Sequence, residues 1–412
     1  MFRNYLLTAW KVFMRRKLFT AINLLCIVLT LVVLMVVTAL LQNTFYPTGV
    51  EGKSERFLQM MVLRTETAEG NTFTGPLGYK LIEQYIRPLK SVELVGATTG
   101  PRTVSVYQDG RVTELEMRRT DANYWRILDF TVLAGRLPTA DDDAHGRFVA
   151  VVNKASADKL FGSAAAVGRM VSVSGQQFQI IGVVDNEMQL NAYADMWVPI
   201  TTFPSTDYRD AYAGEFIALL LGRSAADLPM IRKDVESIAR ATHFGDPQRY
   251  AKVRFWADDK IDTIARQAFG NTEQADSGGA TMIAILMAVM IVFMLLPALN
   301  LVNLNSGRIM ERSSEIGVRK AFGATSAELV RQLIVENVLL CLAGGAIGMV
   351  CAALVLRALE ASDLIPYLKV SLNWSVLGYG LLITLFFGLL SGVLPAWKMS
   401  RLDPVHALKG AI

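Results

Sequence analysis

Residues 21–41 read AINLLCIVLTLVVLMVVTALL, an unbroken apolar stretch. A helix rises about 1.5 Å per residue, so this stretch is long enough to cross the ~30 Å hydrocarbon layer of a bilayer. Three further stretches also lack Asp, Glu, Lys, Arg and His, namely residues 280–304, 337–356 and 376–394. Since 52% of the 412 residues are hydrophobic, the composition also disfavours a soluble enzyme. We therefore predict an α-helical membrane protein with four transmembrane helices.

The first stretch has features of both a secretory signal and a retained anchor. Basic residues precede it, as they precede a signal. The apolar part of a signal is only about 7–15 residues long, however, and ends at a small-residue cleavage site. Residues 21–41 are longer, and no clear A-x-A site follows them. We interpret them as an anchor that is kept.

Basic residues are distributed unevenly around the four stretches. Residues 42–278 hold 26 Lys and Arg against 30 Asp and Glu, whereas the rest of the chain holds 15 against 7. Of those 15, only Arg357 and Lys369 lie outside residues 1–20, 305–336 and 395–412. Short loops rich in Lys and Arg stay in the cytoplasm. The distribution predicts a multi-pass protein with both termini in the cytoplasm and residues 42–278 outside.

The first twenty residues have the pattern of an amphipathic helix. Helical spacing places Phe2, Tyr5, Leu6, Ala9, Trp10 and Phe13 on one face, with Lys11, Arg15, Arg16 and Lys17 beside it. Such a helix lies on a lipid surface with its apolar face buried in the headgroup boundary. The alternative is that the basic residues act only as a topology signal.

Residues 42–278 have the pattern of a large α+β domain. Strand, helix and strand are predicted at 57–64, 76–89 and 92–97, and again at 216–221, 228–242 and 251–256. Between these two groups lies a strand-rich insertion of about residues 102–201, with strands at 148–152 and 197–200. Hairpins are predicted at Asp109-Gly110 and Ser174-Gly175. We predict two α+β lobes, the second inserted into the first.

No pattern of catalytic or metal-binding residues stands out. The three cysteines, Cys26, Cys341 and Cys351, lie in apolar stretches, the chain has only three histidines, and it contains no CxxC or HExxH. The stretch PTGVEGKS ends like a phosphate-binding loop, but Pro47 stands where the first glycine belongs. We predict no catalytic, cofactor or metal site, and no nucleic-acid partner.

A charged strip, SSEIGVRKAFGATSAELVRQLIVEN, occupies residues 313–337 between two apolar stretches. Glu315 and Arg319 have the favourable i, i+4 spacing of a helix that Gly323 interrupts. Thr325 and Glu328 then form a T-x-x-E capping box, which predicts the start of a second helix. The resulting corner projects polar groups beyond the membrane and suits the docking of a partner. Alternatively, it is a helical hairpin whose charges only solvate a loop.

This strip resembles the signature of FtsX-like permeases, the membrane subunits of MacB-type, mechanotransmitting ABC transporters. The matching residues are Arg312, Glu315, Ile316, Gly317, Val318, Arg319, Lys320, Ala321, Gly323, Ala324, Gln332 and Glu336. The C-terminal family motif is matched by Pro395, Ala396, Asp403, Pro404, Ala407 and Leu408, with Ser400 where alanine is common. In the outer segment, NYWRILDFTVLAGR, VAVVNKASADKLFG and VGRMVSVSGQQFQIIGVVDN resemble the MacB-type core. The likeness therefore runs along the whole chain.

The resemblance implies a subunit of the bacterial inner membrane that is itself no enzyme. Its implied partners are ABC ATPase subunits that bind ATP and Mg²⁺, a second permease chain in a homodimer or heterodimer, and membrane lipid. A periplasmic adaptor and an outer-membrane channel are further candidates. The chain departs from the family by lacking a glycine-rich start of the first span, and it shows no fused nucleotide-binding domain, so we expect a separate ATPase. The residues that the resemblance assigns to ATPase coupling are Glu315, Gly317, Arg319, Gly323 and Glu328.

Two glycine pairs predict close packing of helices. Gly344 and Gly348 lie four residues apart in the third apolar stretch, and Gly388 and Gly392 in the fourth. Small residues at this spacing let two membrane helices approach closely. The sequence leaves open whether the contact lies within one chain or between two.

The function that we predict is transmission of ATP-driven motion to a periplasmic domain that exports or extracts a substrate. A lipoprotein-releasing permease is the closest alternative, against which the poor fit of the first span counts modestly. An FtsX-like regulator of a cell-wall hydrolase is another, although such regulators usually have a smaller outer segment. A membrane-anchored binding module without an ATPase is disfavoured by the coupling signature.

Overall fold

The structure, a computed structural model, describes most of the chain. It covers residues 14, 17–45, 49–108, 110–162, 165–241, 244–245, 248, 250–292, 295, 322, 325–362 and nine positions between 364 and 389. The chain divides into two compact units. We call Thr44–Ile283 the core unit, and Met1–Asn43 with Ala284–Ile412 the helical unit.

Two described helices are long and apolar enough to cross a membrane. Helix α1 (Lys17–Phe45) contains the apolar span Thr20–Leu41, and a second span, Ile334–Ala361, belongs to a helix of 36 residues, Ser326–Ala361. A shorter apolar helix occupies Gly279–Val292. The predicted count of four transmembrane helices is therefore not confirmed, because most of the fourth stretch and residues 296–304 of the second lie outside the described residues. Most of the predicted amphipathic helix lies outside them too.

Among its described residues, the core unit contains six helices, thirteen strands and the first five residues of a further helix, α8, which continues into the helical unit. The helices are α2 (Tyr79–Leu81, continued by a π-turn at Ile82–Ile86), α3 (Ala122–Ile127), α4 (Ala140–Ala144), α5 (Lys154–Phe161), α6 (Leu228–Ala241), α7 (Lys260–Phe269) and α8 (Gly279–Val292), and Ser326–Ala361 is α9. The strands are β1 (Phe57–Met60), β2 (Leu63–Glu66), β3 (Thr72–Gly75), β4 (Leu94–Thr99), β5 (Arg102–Gln108), β6 (Arg111–Thr120), β7 (Val132–Gly135), β8 (Val149–Asn153), β9 (Met170–Val173), β10 (Gln176–Val184), β11 (Met196–Pro199), β12 (Phe216–Leu221) and β13 (Lys252–Phe255).

The predicted insertion forms a closed ring of six strands. In order around the ring, β6 pairs with β11, then β8, β10, β9 and β5, and β5 pairs back with β6. We call this ring the barrel. Its interior is apolar, since side chains such as Val106, Val152 and Phe178 belong to one buried cluster. Closure leaves no unpaired edge between these strands, which stabilises a small strand-rich body.

The barrel is continuous with the strands that flank the insertion. The order β1-β12-β4 is joined to it through a pairing of β4 with β6, at Thr98 and Thr120. A separate three-stranded sheet has the order β13-β2-β3. The predicted division into two lobes is therefore not confirmed, because flanking and inserted strands share one hydrogen-bonded sheet.

Two predicted elements are wrong in detail. The single strand at 57–64 is two strands, because β1 pairs with β12 while β2 pairs with β13 in the other sheet. The helix at 76–89 begins only at Tyr79. Leu77 instead pairs with the backbone of Phe216, and Gly78 approaches another chain segment so closely that an added Cβ would lie 2.0 Å from the Ala211 carbonyl oxygen. Residues 76–78 are thus held as extended backbone.

Both predicted hairpins are confirmed. Gln108 faces Arg111 across the first turn, and Val173 faces Gln176 across the second. In the second turn Ser174 and Gly175 both have positive φ, 52° and 80°. This is the requirement of a two-residue turn that matches the twist of its strands. Local turn chemistry therefore sets the register of these strand pairs.

Candidate functional site

The coupling segment is described only at its C-terminal end. Glu315, Gly317, Arg319 and Gly323 lie outside the described residues, as do Gly388 and Gly392, so their roles stay predictions. Glu328 lies in the first turn of α9. It is thus the one member of the predicted coupling set among the described residues.

The capping box predicted at the start of α9 is present. The Thr325 N–H donates to Glu328 Oε2 at 3.0 Å, and the Glu328 N–H donates to Thr325 Oγ1 at 3.3 Å. These bonds satisfy two backbone donors that a helix start leaves unpaired. The bond from the Thr325 backbone also lowers the pKa of the Glu328 carboxyl, which keeps it ionised. The first turn of α9 is therefore defined by its own sequence.

Phe322 is an exposed aromatic residue three positions before the capping threonine. Its side chain is 88% accessible. Aromatic residues, phenylalanine included, are enriched at protein interfaces relative to the rest of the surface. Sequence reasoning missed this residue, because helical spacing alone does not distinguish an exposed phenylalanine from one that packs.

Helix α9 packs against α1 in the same chain at the predicted glycines. A Cβ added to Gly344 would lie 2.6 Å from Ile27 Cγ2, and one added to Gly348 would lie 3.0 Å from Leu31 Cβ. Ile27 and Leu31 are buried together with Leu340 and Cys341 of α9. The glycines thus face α1 of their own chain, at distances where an added side chain would require Ile27 or Leu31 to shift.

A cluster of buried polar side chains lies in the core unit. We call it the polar joint, and its members, each at most 7% exposed, are Glu51, Gln59, Gln189, Asn191, Lys260 and Thr263. Burial of a polar group costs free energy unless the group is hydrogen-bonded, and burial of a charge costs more unless it is paired. The contacts within the joint provide this pairing for most of its polar atoms, whereas the Asn191 side-chain oxygen is buried without a hydrogen-bond partner among the described residues.

Glu51 is the centre of the polar joint. Its backbone N–H donates to Gln189 Oε1 at 2.7 Å, and its Oε1 accepts the Asn191 N–H at 2.7 Å. Its second carboxylate oxygen forms an ion pair with the Lys260 ammonium group, and both side chains are buried. One carboxylate therefore joins two chain segments that are far apart in sequence.

Gln59 extends the joint from β1 to α7. Its Oε1 accepts the side-chain N–H of Asn191 at 2.6 Å, and its Nε2 donates to Thr263 Oγ1 at 2.8 Å. Its backbone also exchanges two hydrogen bonds with Asp258, just before α7, at 2.8 and 2.9 Å. The Gln59 side-chain amide thus also connects the segment of Asn191 with α7, as Glu51 does through other atoms.

Residues 189–193, which connect β10 with β11, are bound to the barrel by a buried arginine. Arg118 on β6 donates to the carbonyl oxygens of Leu190 and Tyr193 at 2.9 and 2.7 Å, and to that of Thr99 at 2.9 Å. The Tyr124 hydroxyl adds a bond to the Asn191 carbonyl at 2.8 Å. Burial lowers the pKa of Arg118, in keeping with partners that are carbonyl groups. This loop is therefore fixed to the barrel.

A second buried arginine ties α7 to the chain that leads into α8. Arg266 donates to the carbonyl oxygens of Asn271, Gln274 and Ala275 at 2.6, 2.9 and 3.1 Å. It also forms two bonds to the Asp258 carboxylate, at 2.7 and 3.0 Å. Burial raises the pKa of Asp258, and the pairing with Arg266 opposes that rise. The connection from α7 to α8 is thus held at several points.

The described residues offer no group of three or more His, Cys, Asp or Glu side chains suited to a metal ion. Lys53, at the end of the phosphate-loop-like stretch, pairs with Asp129 at 2.6 Å and donates to the Arg126 carbonyl oxygen at 3.2 Å. Its ammonium group therefore has partners within the protein.

Comparison with known protein families and relatives covers both units. Residues 20–238 match the family described as MacB-like periplasmic core domain, and residues 287–404 match the family described as FtsX-like permease C-terminal. The chain is 26% identical over 340 residues to the uncharacterized ABC transporter permease YknZ of Bacillus subtilis, covering 79% of this chain and 78% of that protein.

Two further relatives are longer proteins named for export. The chain is 26% identical over 289 residues to the macrolide export ATP-binding/permease protein MacB of Chromobacterium violaceum, covering 69% of this chain and 42% of that protein. It is 26% identical over 292 residues to the pyoverdine export ATP-binding/permease protein PvdT of Pseudomonas aeruginosa, covering 70% and 41%. The chain therefore spans less than half of these two relatives, and it matches only their permease part.

Two solved structures are similar to part of the chain. The extracellular domain of the noncanonic ABC-type transporter YknZ from Gram-positive bacteria is 17% identical, with a TM-score of 0.34, covering 47% of this chain and 99% of that one. The periplasmic region of MacB from Actinobacillus actinomycetemcomitans is 15% identical, with a TM-score of 0.39, covering 55% and 97%. Because the core-domain family alone matches more than half of the sequence, the protein belongs to the MacB-like and FtsX-like family of ABC transporter permeases, with a periplasmic domain.

Proposed function

We propose that this chain is the permease subunit of a MacB-like ABC system and transmits the motion of a separate ATPase subunit to its periplasmic domain. The ATPase binds ATP and Mg²⁺ and hydrolyses the nucleotide, and the periplasmic domain exports or extracts a substrate. The observation that carries the proposal is the combination of both family matches in one chain that corresponds only to the permease part of its ATP-binding/permease relatives.

The length of α9 supports a mechanical role. At about 1.5 Å per residue, its 36 residues extend about 54 Å, more than the ~30 Å of a hydrocarbon layer. A displacement at Thr325 is therefore carried into the span without an intervening loop. In this proposal the capping box lies in the cytoplasm, next to the coupling residues Glu315, Gly317, Arg319 and Gly323.

The charge pattern supports ATP over an ion gradient as the energy source. Proton- and ion-coupled transporters place ionisable residues within the membrane, where these residues are costly and are kept for function. The four predicted spans contain none. We therefore propose that the spans transmit motion and that the substrate does not cross the bilayer through them. A second permease chain completes the assembly, and an adaptor with an outer-membrane channel would continue the path.

The test is co-purification and reconstitution of the full-length chain with its ATPase. Glu315→Arg, Arg319→Glu and Gly323→Val are expected to weaken ATPase association or stimulated turnover at least tenfold, with the periplasmic domain still folded. Arg357→Glu is the matched control, because Arg357 is an exposed residue at the other end of α9. Normal coupling in all three variants would refute the docking role.

The cargo separates the alternatives within the family. Transport that stops when the catalytic glutamate of the ATPase is replaced, and that survives dissipation of the proton gradient, supports the proposal. Release of lipoproteins from the membrane would assign the chain to the lipoprotein-releasing permeases. Activation of a cell-wall hydrolase without any transported molecule would assign it to the FtsX-like regulators.

A further inference from the structure

The polar joint lies where the chain enters and leaves the core unit. Glu51 ends a short 3₁₀ turn, Gly49–Glu51, that begins four residues after the last residue of α1, Phe45. Lys260 begins α7, and the chain that follows α7 leads to α8 at Gly279. The Glu51–Lys260 ion pair therefore joins the segment after the first span to the segment before the second apolar stretch.

The barrel contributes the third segment of the joint. Asn191 binds Glu51 through its backbone N–H and Gln59 through its side chain. The loop that carries it is fixed to β6 and α3 by Arg118 and Tyr124. A displacement of Glu51 or Lys260 relative to the barrel would break several buried hydrogen bonds at once. A buried polar group that loses its hydrogen bond is costly, so the three segments are expected to move together.

Stability alone does not account for this arrangement. A buried ion pair is often no more stabilising than apolar side chains of similar volume, since desolvation offsets much of the attraction. Hydrogen bonds of charged and amide groups are directional, unlike apolar contacts. They therefore hold one relative orientation of the segments they join. The polar joint therefore matches a requirement for fixed geometry better than a requirement for stability.

Building on the proposed function, we propose that Glu51, Lys260 and Asn191 are positioning residues of the transmission. They hold the segment after the first span, helix α7 and the barrel as one rigid body. A displacement of the segment after the first span, or of the segment before the second apolar stretch, then displaces the barrel by the same amount. The Arg266 contacts extend the same body along the chain that leads to α8, as far as Ala275.

The test compares neutral variants of two ion pairs whose first members, Glu51 and Lys53, lie two positions apart in the chain. Glu51→Gln with Lys260→Met removes the charges of the buried pair. Lys53→Met with Asp129→Asn is the matched control, because that pair is 2.6 Å long but its side chains are 32% and 51% exposed. The structural readout is the distance between spin labels at Val112, an exposed barrel residue, and Ala327, an exposed residue of α9, in chains whose three cysteines are replaced.

Distances are measured in the reconstituted complex with its ATPase, without nucleotide and with a non-hydrolysable ATP analogue. In the buried-pair variant, the nucleotide-dependent change in distance is expected to fall to less than half that of the wild type. ATP hydrolysis is expected to stay within twofold, and the control variant is expected to match the wild type in both. A purely structural role would lower the unfolding temperature and leave the distance change intact.

Each outcome identifies which statement fails. If the wild-type complex shows no nucleotide-dependent change, the proposed function is wrong. If wild type and buried-pair variant change equally, only the role of the joint is wrong. If the double variant does not fold, Glu51→Asp keeps the charge and shortens the side chain by one methylene. A full distance change in that folded variant would refute the positioning role.

Discussion

Gly344→Val tests the contact between α1 and α9. In the structure, a Cβ at this position would lie 2.6 Å from Ile27 Cγ2 and 3.0 Å from Ile27 Cβ. Valine adds two methyl groups beyond that Cβ. Ile27 is buried and β-branched, so rotation about its side chain is restricted and does not move the Cβ away. The two helices must therefore separate or shift.

The expected cost follows from this geometry. Overpacking of a well-packed interface costs about 1–3 kcal/mol. We expect about 3 kcal/mol for Gly344→Val, because the nearest contact involves a stiff side chain. At Gly348 the nearest atoms are Leu31 Cβ at 3.0 Å and Cδ1 at 3.2 Å, so part of the strain can be relieved by moving the leucine. There we expect about 1–2 kcal/mol.

The assay is unfolding of the purified chain in mixed micelles by increasing SDS, followed by loss of helical circular dichroism. Ala346→Val is the matched control, because Ala346 lies between the two glycines on the exposed face of α9. Its midpoint should stay near that of the wild type. Ile27→Ala removes the atom nearest to the new side chain and is expected to restore part of the loss in the Gly344→Val background.

Two results would contradict the reasoning. One is a Gly344→Val midpoint no lower than that of Ala346→Val. The other is a double variant, Gly344→Val with Ile27→Ala, whose loss equals the sum of the two single losses. Additivity would mean that the two residues do not interact, since residues in contact show a coupling energy.

Three further predictions concern stability and topology. Burial raises the pKa of Asp143 to about 6, above its ordinary 3.8, so the stability that its protonated form provides is lost as pH rises through 6. Asp143→Asn keeps an oxygen for the Ala122 N–H, so at pH 7.5 it should raise the free energy of unfolding by up to about 3 kcal/mol and raise the unfolding temperature accordingly. The gain should vanish near pH 4, and a gain independent of pH would contradict this. Arg118→Met removes the guanidinium donor from three carbonyl oxygens, of which that of Thr99 also accepts the Thr98 hydroxyl at 3.1 Å, and it should cost at least about 2 kcal/mol in thermal unfolding. Arg118→Lys, with fewer directed donors, should not restore the loss. Cysteine at Val112 should react with an impermeant maleimide from the periplasmic face, and cysteine at Ala327 should not; the reverse pattern would reject the orientation.

The features that sequence predicted best are those whose causes are local. The turn at Ser174-Gly175 depends on two residues that tolerate positive φ, and the start of α9 depends on Thr325 and Glu328, three positions apart. Strand β12, predicted at 216–221, has those bounds, because it is a short run of consecutive apolar residues between turn signals. In each case the information lies within a few residues of the element.

Features that depend on distant partners could not be predicted in this way. The division of residues 57–64 into two strands follows from β12 and β13, which are more than 150 positions away along the chain. Closure of the barrel depends on pairing of β5 with β9. Glu51 and Lys260 are also single charged residues among many in this part of the sequence, and no spacing relates them. Only the fold reveals that they are a buried pair.

The contacts of the two units follow from their different surroundings. Between membrane helices, lipid is as apolar as the side chains, so burial of apolar surface provides little attraction and close van der Waals fit has to hold α1 against α9. Glycines at 344 and 348 allow that fit. In the core unit, apolar burial already stabilises the barrel, and directional bonds at Glu51 can define how segments are oriented. The transmission of motion that we propose for this chain requires stiffness in both places, and each unit would achieve it with the interaction that its surroundings favour.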